Sequence, residues 1–297
     1  MSFSQAFDAY MLYMAVEGRS RRTQELYREI LTRFLGFVGD RLLSEITSRD
    51  LRAYIAHLQG QGCKHSTINI HLRAIRAWLN FLYREGMLAE KVAERVKLLR
   101  TPKQYPFVLS DAQVTALLRA ASSHKGTWVG FRNYTMILTF LDTGLRLKEL
   151  LALTVDDLDL NRRALKVIGK GNREREVFFG RRLGRVLRDW LARRTLSLPG
   201  DALFCSRKGD PLKRRYLIEI VTNLAKEAGI TGVRCSPHTL RHTFATQFIR
   251  NGGDPFALQR LLGHSDISTT MVYVHMAGTA LREAHAKASP VDRLLGE

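Results

Sequence analysis

The chain has 297 residues, more than one compact core usually holds, so two domains are expected. Its 47 Lys and Arg against 28 Asp and Glu give a formal charge of +19, a surplus that draws a chain to polyanions, among which nucleic acid is the commonest partner of a two-domain globular protein. Asp8 and Glu17 interrupt the first stretch, which excludes a secretory signal. No window approaches the roughly 18 apolar residues of a membrane span, so a soluble, cytoplasmic protein is expected.

From the start to about residue 100 the pattern is helical throughout, with helices predicted over 4–17, 20–38, 48–61 and 66–85. In the fourth, Ile68, Leu72, Ile75, Leu79 and Leu82 recur every three or four residues and mark one buried stripe, leaving Arg73, Arg76 and Arg84 for other faces. Pro102 and Pro106 stop any helix from crossing RTPKQYPFVLS, so residues 101–107 are assigned to a linker between an all-helical domain (1–100) and a second domain (108–297).

The second domain opens with Ser110 three residues before Gln113, a capping box, and with Leu109 and Val114 placed as a hydrophobic staple. Tyr134, Ile137, Leu138, Leu141 and Leu145 follow as a helical stripe. Only DLDLNRRALKVIGKGNREREVFF departs from the helical period; it alternates about a Gly-Lys-Gly-Asn turn and predicts a hairpin with Lys170 at its tip. Helices resume from about Gly180. The fold class expected is mostly α with a small β-hairpin or sheet. Cys63, Cys205 and Cys235 are odd in number and lack metal-ligand spacing, so three reduced thiols are expected.

Five strings carry candidate chemistry: TGLRLKEL, IGKGNR, HTLRH, LGH and VYVH, which hold Arg146, Lys170, His238, Arg241, His264 and Tyr273 in that order. Arg241 lies three residues after His238, so both project from one side of a helix, and Ser236-Pro237 supplies its N-cap and N1 proline. The glycine break in TGLR delivers Arg146 at an element end. An HTLRH pair has i,i+4 spacing, but it lacks the Glu of H-E-x-x-H and carries an Arg between the histidines, which argues against a metal. Cys235 resembles a thiol nucleophile only superficially.

Together these strings resemble the tyrosine recombinases, or phage-type integrases, over most of the chain, and in size the Xer group and short mobile-element integrases. The resemblance implies an N-terminal core-binding domain and a catalytic domain from Val108 to about Ala277. It implies site-specific cutting and rejoining of DNA strands through a 3′-phosphotyrosine on Tyr273 and a Holliday junction, with no cofactor and no metal. Arg146 and Arg241 would clamp the phosphate, whose developing charge a guanidinium fork holds at any working pH. Lys170 would protonate the departing 5′ oxygen, and His238 and His264 would assist proton transfer and hydrogen-bond the phosphate. Glu149 would orient an active-site group, while His242 is assigned a structural part.

The partners implied are a double-stranded DNA recombination site and, on it, a homo-tetramer or a hetero-tetramer with a paralogue, assembled from monomers. The tail from Gly278 on, with Leu281, Val291, Leu294 and Leu295, would dock on a neighbouring protomer. Arg21, Arg22, Thr67 and Arg73, near the starts of two N-terminal helices, are candidate DNA contacts against the simpler reading of a solvated face. Departures from the family's pattern are small: VYVHM after the nucleophile position, and LRLKEL where a small residue is usual before the Glu. Two other readings share the fold or the chemistry: a catalytically silent DNA-binding protein, and strand relaxation of the type IB topoisomerase kind.

Overall fold

In the computed structural model, residues 2–39, 41–102, 105–169, 173–194 and 201–278 are described, with Ser289, Val291 and Leu294. The chain forms two compact units, Met1–Lys103 and Gln104–Glu297. The first holds α1 (Phe3–Val16), α2 (Arg21–Val38), α3 (Ser48–Gly60) and α4 (His65–Arg84). Each of the first three begins where local chemistry dictates, at caps supplied by Ser2, Ser20 and Thr47. The predicted stripe on α4 is buried, and Trp78 between its members is fully enclosed, its Nε1 donating to the Ala6 carbonyl at 3.3 Å.

In the second unit α5 (Asp111–Ser123) starts at the Ser110–Gln113 capping box, and Leu109 and Val114 both pack into the main core. Helix α6 (Trp128–Thr143) is the central element, buried along most of its length. It ends at Thr143, two residues before the last member of the apolar stripe, Leu145. Gly144 takes a left-handed conformation (φ 62°), so Leu145 reaches the core from a sharp break rather than from a helical stripe. A side chain at 144 would be strained at that φ and would collide with the Phe244 ring.

After α7 (Leu147–Ala152) comes a three-stranded antiparallel sheet in the order β1 (Leu158–Asp159), β2 (Ala164–Ile168), β3 (Glu174–Phe178). The hairpin is β2–β3, registered Leu165 to Val177 and Val167 to Arg175. The short β1 is an addition that the alternating pattern did not separate. Lys170 and its neighbours Gly171 and Asn172 lie outside the described residues. Helices α8 (Arg181–Arg193), α9 (Arg214–Glu227), α10 (Pro237–Arg250), α11 (Pro255–Leu262) and α12 (Ser268–Ala277) complete the unit. A small second core joins Phe244, Ala245 and Ile249 of α10, Leu258 and Leu262 of α11 and Tyr273 of α12. No described helix is long and apolar enough to cross a membrane.

Candidate active site

Two chain breaks and one helix face build the site. Gly144 turns the chain out of α6 and places Arg146 at the N-terminus of α7, where the Glu149 carboxylate returns to accept from the Arg146 backbone N at 2.8 Å. Ser236 caps α10, with Pro237 at its first position, so His238, Arg241 and His242 project at i, i+3 and i+4 from one side. Asp254 caps α11, which ends at Gly263 in a left-handed conformation (φ 63°) and hands over to His264. A Cβ at 263 would meet the Arg175 guanidinium at 3.2 Å, so glycine leaves room for that side chain.

Glu149 is the hub. It is 4% exposed, and Arg175 on β3 donates to it twice, Nη1 to Oε1 at 2.9 Å and Nη2 to Oε2 at 2.8 Å, a fork-to-fork pair. Arg146 Nη1 donates to Oε1 at 2.9 Å, and Arg241 Nη1 stands 3.9 Å from Oε2. Burial pushes the Glu149 carboxyl up, but the bonds from Arg175, the Arg146 backbone and the Arg146 guanidinium outweigh it and hold it below the usual carboxylate range. One buried anion thus fixes two arginines rigidly and neutralises part of a third's charge. The two predicted phosphate clamps are brought together.

Arg241 is almost wholly buried. It donates from Nη1 to the Gly144 carbonyl at 2.8 Å and from Nη2 to the Leu262 carbonyl at 2.7 Å, binding the break after α6 to the end of α11. Burial first, then Arg146, lowers it to about 10, which leaves it charged at neutral pH. Its Nη2 also lies 3.1 Å from His264 Nε2. A guanidinium only donates, so Nε2 is the acceptor, and the proton of His264 sits on Nδ1, directed at Thr270 Oγ1 3.0 Å away. Both ring nitrogens are therefore engaged within the protein. His264 orders Arg241 here, and a bond to a phosphate would replace one of these.

His238 is exposed in the first turn of α10 and has no hydrogen bond to another described residue. Partial desolvation, then Arg214, Arg241 and Arg146, lower its pKa from the ordinary histidine value, which favours the neutral ring. Tyr273 is 3% exposed, its ring lying nearly parallel to that of His264 (centroids 6.4 Å apart, 19°), and its hydroxyl is 2.8 Å from His242 Nδ1. Burial raises the phenol's pKa above 10, only partly opposed by Arg241 and Arg146. A cavity of about 850 Å³ opens over Arg146, Gly169, Arg173, Arg175, Arg260 and His264.

Two residues at the site were not read as functional from the sequence. Arg175 is one of several charges in NREREVFF, and its only signal was its alternation toward the buried side of β3. His242 counts by sequence among the lone histidines, which are usually structural. No group of His, Cys, Asp and Glu able to hold a metal occurs among the described residues. Cys235 is buried, and burial pushes its thiol up to about 11, so it stays protonated.

The Phage integrase family model matches residues 108–279, and its N-terminal SAM-like domain matches 6–90. The chain belongs to the tyrosine recombinases of the phage integrase family. Its relatives are of Xer type: tyrosine recombinase XerD of Pseudomonas putida is 36% identical over 280 residues, covering 92% of this chain and 93% of that protein. Tyrosine recombinase XerC of Mycobacterium tuberculosis is 33% identical over 293 residues, covering 95% and 98%. Among solved structures, XerA recombinase shares 28% identity with a TM-score of 0.53, covering 97% of this chain and 99% of that one. The Tn1549 transposon integrase, solved with transposon right end DNA, has a TM-score of 0.77 at 21% identity and the same coverage, which shows the fold. The enzyme is thus a site-specific tyrosine recombinase, and neither the silent nor the relaxing alternative is favoured by these relatives.

The candidate DNA contacts of the N-terminal unit fall into two groups. Arg21 and Arg22 are exposed at the start of α2, and both lie near Glu25, at 3.2 and 3.8 Å. Thr67 and Arg73 are exposed on the first half of α4. The start of α2 lies beside the end of α4, since Thr23 and Tyr27 share a cavity with Asn80, Tyr83 and Arg84. The pairs are therefore separated along α4 by roughly 20 Å at 1.5 Å rise per residue. Leu281, Pro290 and Leu295 of the tail lie outside the described residues, whereas Val291 and Leu294 are exposed.

Proposed function

We propose that this recombinase binds a double-stranded DNA recombination site and that Tyr273 attacks the scissile phosphate to form a 3′-phosphotyrosine. The carrying observation is the arginine hub: Arg146 and Arg241, from distant parts of the chain, are held around buried Glu149, and the Tyr273 hydroxyl of α12 meets His242, the residue that follows Arg241 on α10. Such a preformed charge needs no reorganisation when negative charge gathers on the non-bridging oxygens. Arg146 and Arg241 receive those oxygens, His238 donates to one of them, and Lys170 protonates the 5′ oxygen as it leaves. Arg175 and Glu149 act through the two clamps as positioning residues. Storing the bond energy in the covalent link lets rejoining proceed without a nucleotide cofactor.

The N-terminal unit is assigned to DNA binding, with Arg21, Arg22, Thr67 and Arg73 as contacts. Strand exchange runs in a four-protomer assembly of this chain, alone or with a paralogue, in the cytoplasm, the tail from Gly278 joining neighbours. Duplexes selected from a random library, then nicked to trap cleavage, test the chemistry. Tyr273→Phe should form no protein–DNA adduct on a denaturing gel yet bind the duplex nearly as tightly; an adduct with the Phe variant would sink the assignment. Truncation after Ala277 should spare single-site binding and abolish recombinant product, and normal product yield would remove the tail from the assembly.

A further inference from the structure

A phenol held above its ordinary pKa is a poor nucleophile until something takes its proton. The Tyr273 hydroxyl is buried, and the one described side chain within hydrogen-bond distance of it is His242, at 2.8 Å from Nδ1. If Nδ1 carried a proton and donated, the phenolic proton would be left without an acceptor in a buried place, a loss of about 1–3 kcal/mol. The arrangement that satisfies both groups puts the imidazole proton on Nε2 and lets Nδ1 accept from Oη.

The other histidines do not compete. His264 faces the Tyr273 ring, but its Nε2 accepts from Arg241 and its Nδ1 proton points at Thr270. His238 sits one helical turn before His242 on α10 and makes no bond to the hydroxyl. Arg241, next in sequence to His242, only donates.

We infer that His242 is the general base of the cleavage step, orienting the Tyr273 hydroxyl and taking its proton on Nδ1 as the Oη–phosphorus bond forms. The bond from phosphorus to the 5′ oxygen breaks in the same displacement, and that oxygen takes its proton from a separate donor, Lys170 in the reading above. On rejoining, the 5′ hydroxyl gives its proton back to that same donor as it attacks phosphorus, and Oη departs with the proton returned by His242. Burial, then His238 and Arg241, hold the free imidazole down to about 4, so it is neutral and ready to accept at pH 7. The charge of an arriving phosphate raises its basicity when it is needed. The assignment rests on Tyr273 being the nucleophile.

The test uses the full chain and the nicked duplex. His242→Asn places an amide oxygen where Nδ1 stood, keeping an acceptor and removing the base. It should slow adduct formation by at least about 10²-fold with duplex binding and melting temperature near those of the parent. Replacing Tyr273 by a difluorotyrosine, whose phenol is more acidic, should recover at least about tenfold in His242→Asn and change the parent by less than about threefold. Equal responses in the two backgrounds, or an Asn variant within about threefold of the parent, would overturn the inference. If the Asn variant does not fold, the parent decides alone: its cleavage rate should fall as His242 is protonated in acid, and a rate flat from about pH 7 down to pH 4 would count against a histidine base. Peptide mapping of the adduct separates the two readings, because attachment away from Tyr273 refutes the nucleophile, whereas attachment at Tyr273 at an undiminished Asn rate refutes only His242.

Discussion

The fully enclosed positions of the N-terminal unit are filled by Trp78, Phe3, Phe34 and aliphatic side chains, and its buried polar groups find simple partners. Asn69 exchanges two hydrogen bonds with the Leu99 backbone, and His71 meets the Tyr54 hydroxyl at 3.0 Å. The C-terminal unit has a comparable apolar core, but around α7, β3 and α10 it also buries Glu149 among three arginines and Tyr273 against His242 and His264. Burying ions costs more than burying hydrocarbon, and replacing such pairs by apolar side chains is often neutral or stabilising. On the function proposed above, charge held this way serves the reaction. In the first unit burial stabilises; in the second part of it also pre-organises.

That contrast is sharpest for the clamps. Arg241→Ala or Arg146→Ala should slow cleavage of a nicked duplex by about 10²- to 10³-fold, the loss seen when one donor to a developing anion is removed. Measured on saturated complexes, a rate within about threefold of the parent would take either arginine out of the chemistry. Glu149→Gln keeps shape but leaves Arg146, Arg175 and Arg241 without their buried anion. Denaturant unfolding should show a loss of about 3 kcal/mol, and cleavage should fall with it because the clamps lose their anchor. Unchanged cleavage with lowered stability would make Glu149 structural only.

Leu79→Ala is the matching change in the first unit, where the side chain is 1% exposed. It should cost about 2–3 kcal/mol while cleavage per bound complex stays within about twofold. A large loss of cleavage in folded protein would mean the two kinds of burial are not separable.

The smallest effect is a pH slope. His242 and His264 are each held down to about 4 from 6.5, by burial first and then by nearby cations. The unfolded chain therefore takes up these protons more readily than the folded one. The stability of the neutral rings is complete above about pH 6.5 and is lost as pH falls toward 4. Melting temperature should decline across that window, and more shallowly in His264→Gln. Parallel curves for the two proteins would show that the ring is not held neutral by the fold.

Much of this was legible because it is local. Ser110 with Gln113, and Ser236 with Pro237, are chemistry between residues one to three apart, and the α4 stripe follows from 3.6 residues per turn. Likewise Gly144 and the hairpin alternation announced a break and a turn, though the apolar Leu145 masked where α6 stops. The order of Arg146, Arg241, His264 and Tyr273 in their motifs was enough to name the family. Tertiary structure alone decided who meets whom: Arg175 reaches Glu149 across 26 residues, Arg241 reaches the Gly144 carbonyl across 97, and His242 finds Tyr273 across 31. It also decided that His264 carries its proton on Nδ1, because a guanidinium occupies the other nitrogen. Sequence spacing fixes the direction of a side chain on its own element; the partner at the other end depends on how separate elements pack.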